Sequence, residues 1–407
     1  MKRRPSRSNA GFTLVELMIA LVISGIVIGS MYTVGAASSR HFQVQHQIAS
    51  MQSSLRFAML QVKRDITRAG FMSSPRDVRE DGVCLPLPNS ADASFGGNGW
   101  VAGVSSYQND TGTAVVDPTG NNAVNGFTAD QLTLVANYAT SNDYPIISPT
   151  PARNTVTITT LPTETWHSVQ TDFGWTPAGV ATPIIDQGRV GRVFPAGGLI
   201  RLESARGRRH FATLLADAQV VNNTIRMSFN PALPPDPECD MAGGRVAPLQ
   251  VIRYGANLSA QNTVASERNN TMIPQLVRSR RMAANMTQPM PGSVQRVVLE
   301  YLAAFNLAFT MNTPLAGFST PDQYTIGNSA SRTQNPGPVN ATPELIRAIQ
   351  VTLAVRAPST DPGMRFFNCA NLQCMQLDAV AGPGGPAARV RALRAEIFLP
   401  NIATEGY

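Results

Sequence analysis

Apolar and polar positions divide this chain into three patterns. From Phe12 to Ser39 nearly every position is apolar or small, and after Glu16 no charge occurs until Arg40. The uncharged run from Leu17 to Ser39 is 23 residues, roughly 34 Å of helix at about 1.5 Å per residue. A bilayer's hydrocarbon core is about 30 Å thick, so this run can span it. From Arg40 the pattern changes. Val44, Ile48, Met51, Leu55, Ala58, Val62, Ile66 and Ala69 recur at steps of four and three. That spacing draws an apolar stripe down one face of an amphipathic helix. Gly70 is placed to stop it. Lys63, Arg64 and Arg68 lie in its last turns, where cations suit the helix dipole. The stripe reads as the face that packs on a globular domain, with contact to neighbouring subunits as the functional alternative.

Beyond Gly70 the apolar period shortens to two. Asp130–Tyr138 alternates around Leu132, Leu134 and Ala136, and Asn154–Thr160 sets Val156 and Ile158 among threonines. Both predict half-buried strands. Further strands are expected at Leu199–Glu203, Thr224–Phe229, Leu249–Tyr254, Val294–Phe305, Ile346–Val355 and Val390–Leu399. Asn89–Gly126 and Asn306–Pro343 read as long loops, and Ala381–Ala388 as a turn or connector. The fold class is therefore α+β: a long N-terminal helix on a large, antiparallel β-rich domain.

Composition sharpens this picture. Charged residues are 14% of the 407, with 32 glycines and 30 prolines. That balance suits a turn-rich extracytoplasmic β domain better than a helical cytosolic enzyme. The formal charge is +7, but Lys2, Arg3, Arg4 and Arg7 supply four of those charges, leaving +3 for the rest. Much of the basic balance is thus a topology signal, with the N-terminus cytoplasmic and the long C-terminal part outside. The four cysteines are Cys84, Cys239, Cys369 and Cys374. An even count outside the cytoplasm favours disulfides. Cys369 and Cys374 are expected to pair across a short loop, and Cys84 with Cys239 to form a second bridge. A four-cysteine zinc site would need closely spaced ligand pairs, and Cys84 and Cys239 are isolated.

A search for chemistry finds little. His41 and His46 are five apart and do not share a helical face as metal ligands would, and His167 and His210 have no ligand partner at a recognisable spacing. No Gly-x-Ser-x-Gly elbow occurs. The glycines from Gly382 to Gly385 lack the Lys-Ser/Thr ending of a phosphate loop. No cofactor is expected, and the chain does not read as an enzyme. Two basic clusters stand out, Arg206, Arg208, Arg209 and His210, and then Arg278, Arg280 and Arg281. They lack the interleaved aromatics of a single-strand-binding surface, which argues against nucleic acid. Solvated surface or protein–protein salt bridges is the simpler reading.

One residue of the apolar run is out of place. A carboxylate at Glu16 is costly in a membrane and asks for a partner. Two processing routes compete. An ordinary secretory signal would be cut near Gly35-Ala36-Ala37. Alternatively the chain is cut after Gly11 and the apolar helix is kept. Only the second gives Glu16 a role, since the new α-amino group of a neighbouring subunit could meet it.

The residues Gly11-Phe12-Thr13-Leu14-Val15-Glu16, after a short basic leader, resemble the N-terminal signal of type IV prepilins and type II secretion pseudopilins. The resemblance implies cleavage between Gly11 and Phe12 by a prepilin peptidase of the inner membrane, and N-methylation of Phe12. It also implies that Glu16 neutralises the N-terminus of an adjacent subunit. Major pilins often carry a proline in the second half of this segment, and this chain has none between Phe12 and Ala69. Leu55-Arg56-Phe57-Ala58, Arg64-Asp65-Ile66 and Arg68-Ala69-Gly70-Phe71 resemble the PilW family of minor pilins, related to J-type pseudopilins. Val251–Tyr254 and Gln275–Arg278 look like its paired strands, Val297–Tyr301 its next segment, and Ile349–Arg356 a later strand. Arg64 and Asp65 read as a solvated or domain-capping ion pair.

These expectations divide the chain into a leader (1–11), a transmembrane half-helix (12–39), an amphipathic half-helix (40–70) and a β-rich periplasmic domain (71–407). The implied partners are the peptidase, the inner membrane, other minor pilins, the major pilin and a tip adhesin. The implied route runs from a single-pass inner-membrane protein to the pilus tip. Two alternatives stand beside it: a J-type pseudopilin of type II secretion, and a membrane-anchored binding protein or enzyme that never assembles.

Overall fold

Helix α1 runs unbroken from Leu14 to Arg68, 55 residues. The computed structural model describes residues 13–73, 84, 103–107, 130–149, 153–159, 166–174, 185–221, 224–259, 273–282, 289–312, 321–325, 345–357, 361–365, 377–378 and 386–403. Two units are distinguished, Met1–Ser53 and Ser54–Tyr407, and their boundary falls inside α1.

In the first unit, Thr13 opens the helix. Its carbonyl accepts from the Leu17 amide at 3.2 Å and its Oγ1 from the Glu16 amide at 3.3 Å. This is one arm of a capping box. Every large apolar side chain from Leu14 to Val34 is exposed. The hydroxyls in this stretch turn back on their own helix: Ser24 donates to Ala20 O, Ser30 to Val27 O and Thr33 to Ser30 O, all within 2.8 Å. Beyond Glu16 a helix so satisfied presents a largely apolar surface, which is what a hydrocarbon environment requires. Among the described residues, α1 is the helix long and apolar enough to cross a membrane.

The second unit is antiparallel and β-rich. Its first strands are β1 (Val104–Tyr107), β2 (Gln131–Ala136), β3 (Tyr144–Pro149) and β4 (Thr155–Thr159). Two short helices follow, α2 (Trp166–Phe173) and α3 (Gln187–Val193). Next come β5 (Leu199–Glu203), β6 (Arg209–Leu214), β7 (Gln219–Val221), β8 (Thr224–Asn230), β9 (Arg245–Ser259), β10 (Ile273–Arg281) and β11 (Arg296–Glu300). The chain continues through β12 (Leu302–Asn312), β13 (Pro321–Thr325), β14 (Ile346–Arg356), β15 (Asp361–Arg365), β16 (Leu377–Asp378), β17 (Pro386–Ala388) and β18 (Val390–Phe398), then α4 (Pro400–Ala403).

The 15-residue β9 joins two packing regions. Its first half pairs with both β3 and β5, so β9-β3-β4-β8-β6-β5 closes back on β9 as a six-stranded ring. Closure removes exposed strand edges. The ring buries Ile146, Val156, Ile158, Leu202, Ile225 and Phe229, with α2 and α3 adding Phe173 and Val190. Tyr144, Phe173 and Phe194 stack there, with centroids 4.8 to 6.2 Å apart. The second half of β9 pairs with β2 and β10. A second sheet has the order β13-β12-β14-β18, and a small third one β15-β17-β16. Asp130 joins the two larger sheets: its carboxylate accepts from the Leu307 amide of β12 at 2.7 Å, and its amide donates to Phe305 O.

Several strands depart from the periodicity. The single apolar run expected at Val294–Phe305 is two strands, because Tyr301 adopts φ +54° and breaks it between β11 and β12. The loop expected at Asn306–Pro343 begins as strand: β12 continues to Asn312, and β13 lies further along. Asn306 and Thr310 alternate there with buried Leu307, Phe309 and Met311. The loop expected at Asn89–Gly126 contains β1, and Pro386–Ala388 of the expected connector is β17. Apart from Gly103, the remainder of both stretches lies outside the described residues.

Candidate functional site

Two places on α1 concentrate polar chemistry, each around one carboxylate. The first is the helix head. Glu16 occupies the first turn, where its charge complements the helix N-terminus by roughly 0.3–1 kcal/mol. Its backbone amide is held by Thr13, and its position is exposed. Gly11 and Phe12 lie outside the described residues. Added Cβ atoms at Gly25 or Gly29 would meet nothing within 4 Å, so no contact within the chain requires those glycines.

The second place is the end of α1, inside the domain. Leu55, Ala58, Val62, Ile66 and Ala69 of the apolar stripe are buried. Beside them Asp65 is buried too, at 6% exposure. Its Oδ2 accepts from Tyr254 Oη and from Arg278 Nε, both at 2.6 Å. Tyr138 Oη donates to the Asp65 carbonyl at 2.7 Å. One turn on, Arg68 donates to Asn137 O and Thr140 O, and its guanidinium lies 5.7 Å from the Tyr138 ring centroid. Burial, and then the Asp65 charge, push the Tyr138 and Tyr254 hydroxyls far above the ordinary phenol range, so both stay donors. Burial works against the charge of Arg278, and the Asp65 carboxylate more than offsets it. Asp65 therefore pairs with Arg278, 213 positions away, and the reading of Arg64-Asp65 as a local pair is replaced by this one.

The helix end is closed from further along the chain. Gly70, at φ +80°, donates its amide to Val135 O of β2. Asn401 of α4 donates its side-chain amide to Thr67 O and Ala69 O, two of the carbonyls a helix end leaves open. Ile402 fills the space over Gly70, where an added Cβ would meet its Cγ1 at 2.7 Å. Gly70 is thus required both by its left-handed backbone and by this close approach. Asn401 carried no periodic signal in the sequence; a carboxamide following Pro400 was its only mark.

Cys84 and Cys239 are joined by a disulfide across 155 positions, with Cα atoms 5.8 Å apart. The Cys84 amide also donates to Arg209 O of β6, tying it to the ring. Cys369 and Cys374 lie outside the described residues. The two basic clusters do not form one patch. Arg208 donates to Glu238 Oε2, and His210 is fully buried with Nε2 3.0 Å from Pro231 O. Burial holds the His210 pKa below its usual value. Among the described residues no three of His, Cys, Asp and Glu are grouped as a metal site would need.

Residues 6–32 match the family described as the prokaryotic N-terminal methylation motif. Among solved structures, a type IV-like pilin from Thermus thermophilus aligns with 53% of this chain and 92% of its own, at 14% identity and a TM-score of 0.18. At that score the superposition carries no argument, and the fold rests on the elements described above. No curated protein matches. The chain carries a prepilin-type methylation motif at the head of an apolar helix, followed by an antiparallel β-rich domain. The motif and the apolar helix together fit a membrane anchor.

Proposed function

We propose that this chain is a minor type IV pilin of the PilW type, working in the complex that primes or tips the fibre. The observation that supports this reading is at the N-terminus. A methylation motif spans residues 6–32, Glu16 stands in the first turn of the helix, and every large apolar side chain from Leu14 to Val34 lacks cover. Such a helix suits two successive environments, lipid before assembly and a bundle of like helices afterwards. In lipid, helix association draws on close packing, and Gly25 and Gly29 leave room for it.

In this reading a prepilin peptidase cuts between Gly11 and Phe12, Phe12 is N-methylated, and Glu16 meets the Phe12 amine of an adjacent subunit. The domain faces the periplasm and later the fibre tip, where it contacts other minor pilins, the major pilin or an adhesin. Mass spectrometry of the mature N-terminus tests it: a methylated Phe12 is expected, and a new terminus near Ala37 would overturn it. Comparing piliation with protein secretion in a deletion strain then separates the pilus role from a type II secretion pseudopilin.

A further inference from the structure

The sheet β13-β12-β14-β18 ends in two unlike edges. Exposed strand edges invite pairing with another chain, and proteins blunt them with short strands, prolines or bulges. β13 is blunted: it is five residues long and opens on Pro321. β18 is not. It runs nine residues with neither proline nor glycine, and its register with β14 is unbroken from Val390 to Phe398. Among the described residues, β14 is its one strand partner. The phase of the ladder follows from two bonds that extend it: Leu399 N donates to Arg347 O at 3.0 Å, and Ala357 N to Arg389 O at 2.8 Å. Hydrogen-bonded pairs alternate along an antiparallel ladder, so the odd-numbered residues of β18 bond to β14. The N–H and C=O groups of Val390, Ala392, Arg394, Glu396 and Phe398 therefore point to the open edge.

The side chains along this edge complement themselves. Arg391, Leu393, Ala395 and Ile397 share a face with buried Val355, Leu353, Val351 and Ile349 of β14, yet Leu393 and Ala395 are only half-buried. Ala392, Arg394, Glu396 and Phe398 lie on the other face, and all are exposed. A second β18 laid antiparallel beside the first, about a twofold axis at Ala395, meets it pair by pair. Arg394 of each copy falls opposite Glu396 of the other. Ala392 falls opposite Phe398, a small residue against a large one, and Leu393 opposite Ile397. The pairs that exchange hydrogen bonds in this arrangement are those whose backbone groups point outward, Ala392 with Phe398 and Arg394 with Glu396. Leu393 and Ile397 become a non-hydrogen-bonded pair, where side chains approach most closely. Centring the axis on Arg394 or Glu396 instead sets like charges directly opposite, which is unfavourable. Arg394 already donates to Gln350 Oε1 of β14, and the five donors of a guanidinium leave others for a carboxylate.

We propose that β18 pairs with β18 of a second copy of this chain, joining two four-stranded sheets into one across a twofold axis at Ala395. A closed twofold contact uses the same edge on both copies and so ends strand addition there. The contact lies wholly in the β-rich domain and does not depend on processing at Phe12 or on fibre assembly. Sedimentation of the full-length protein in detergent, across a range of concentrations, tests it. A monomer–dimer equilibrium is expected. Arg394→Glu and Glu396→Arg each set like charges opposite and should each weaken the dimer about tenfold or more. The two variants mixed should form a heterodimer, and the double variant should dimerise as the wild type does, because opposite charges meet again. Ala392→Pro removes an outward N–H, leaves the β14 ladder whole and should abolish the dimer. Circular dichroism and the thermal midpoint check that this variant is folded. Arg226→Glu, on an exposed position of β8, should leave the dimer unchanged. A monomer at every concentration overturns the proposal. So does a dimer that the charge reversals and Ala392→Pro leave intact, that Arg226→Glu weakens equally, or that mixing the two reversed variants fails to restore.

Discussion

The two ends of α1 share one helix and treat an acidic residue in opposite ways. Near its head, Glu16 sits among exposed apolar side chains, and its amide is held by Thr13. Near its tail, Asp65 sits among apolar side chains that are buried, and it is gripped by Tyr254 and Arg278. The difference follows from pattern. The head is apolar on all sides, so no single face selects a partner. The tail is apolar along one stripe, so it has a defined inner face, and a carboxylate on that face must be matched by its own domain. One carboxylate is matched by its own domain; the other is exposed.

Substitutions can break that contrast at either end. In the assembly reading, Glu16→Ala removes the docking group and leaves the domain intact. It should abolish most incorporation into fibres, read by immunoblot of sheared pili, while circular dichroism of the purified protein stays unchanged. Normal incorporation would remove Glu16 from that role. Asp65→Ala is the converse. It leaves Arg278 buried without its carboxylate and should cost about 3–5 kcal/mol of domain stability, measured by denaturant titration.

Asp130 tests the join between the sheets. Burial, opposed by the Leu307 amide bond, raises its pKa from 3.8 to about 7. The folded state therefore holds this proton more tightly than the unfolded chain. Its contribution is fully present below pH 3.8 and is lost as pH rises through about 7. Asp130→Asn should remove this loss, making the protein more stable than wild type at pH 8 by roughly 2–4 kcal/mol and little different at pH 4. Measuring the difference between the two proteins at each pH separates this group from His210, whose lowered pKa acts in the opposite sense on the acid side. The smallest effect is expected at Asn401→Ala. Loss of its bonds to Thr67 O and Ala69 O should cost about 1 kcal/mol, seen as faster amide exchange in the last turn of α1.

Much of α1 was legible because its signals are local: the unbroken apolar run, the four-three stripe and Gly70. The ring strands β4 and β8 were legible for the same reason, with apolar residues at every second place. Tyr301 escaped because a tyrosine at positive φ carries no turn signature, so two strands read as one. β12 was cut short because Asn306 and Thr310 look like loop residues until their alternation with Leu307, Phe309 and Met311 is set against β14. The identity of Asp65's partner was out of reach, since Arg64 stands next to it and Arg278 lies far along the chain. The basic cluster near position 280 misled in the same way. Neighbours in sequence alternate across a strand: Arg278 meets Asp65 of the helix, while Arg281 turns to the opposite face.

The end of α1 is sealed by residues from very different points of the chain: Val135, then Arg278, then Asn401, 334 positions beyond Thr67. Contacts of such separation form slowly, because each must first close a long loop. A ribosome has finished nearly all of the described chain before the last of them is possible. The exposed apolar head of α1 waits on none of these contacts. The seal at the end of α1 is therefore among the last features of the domain to set.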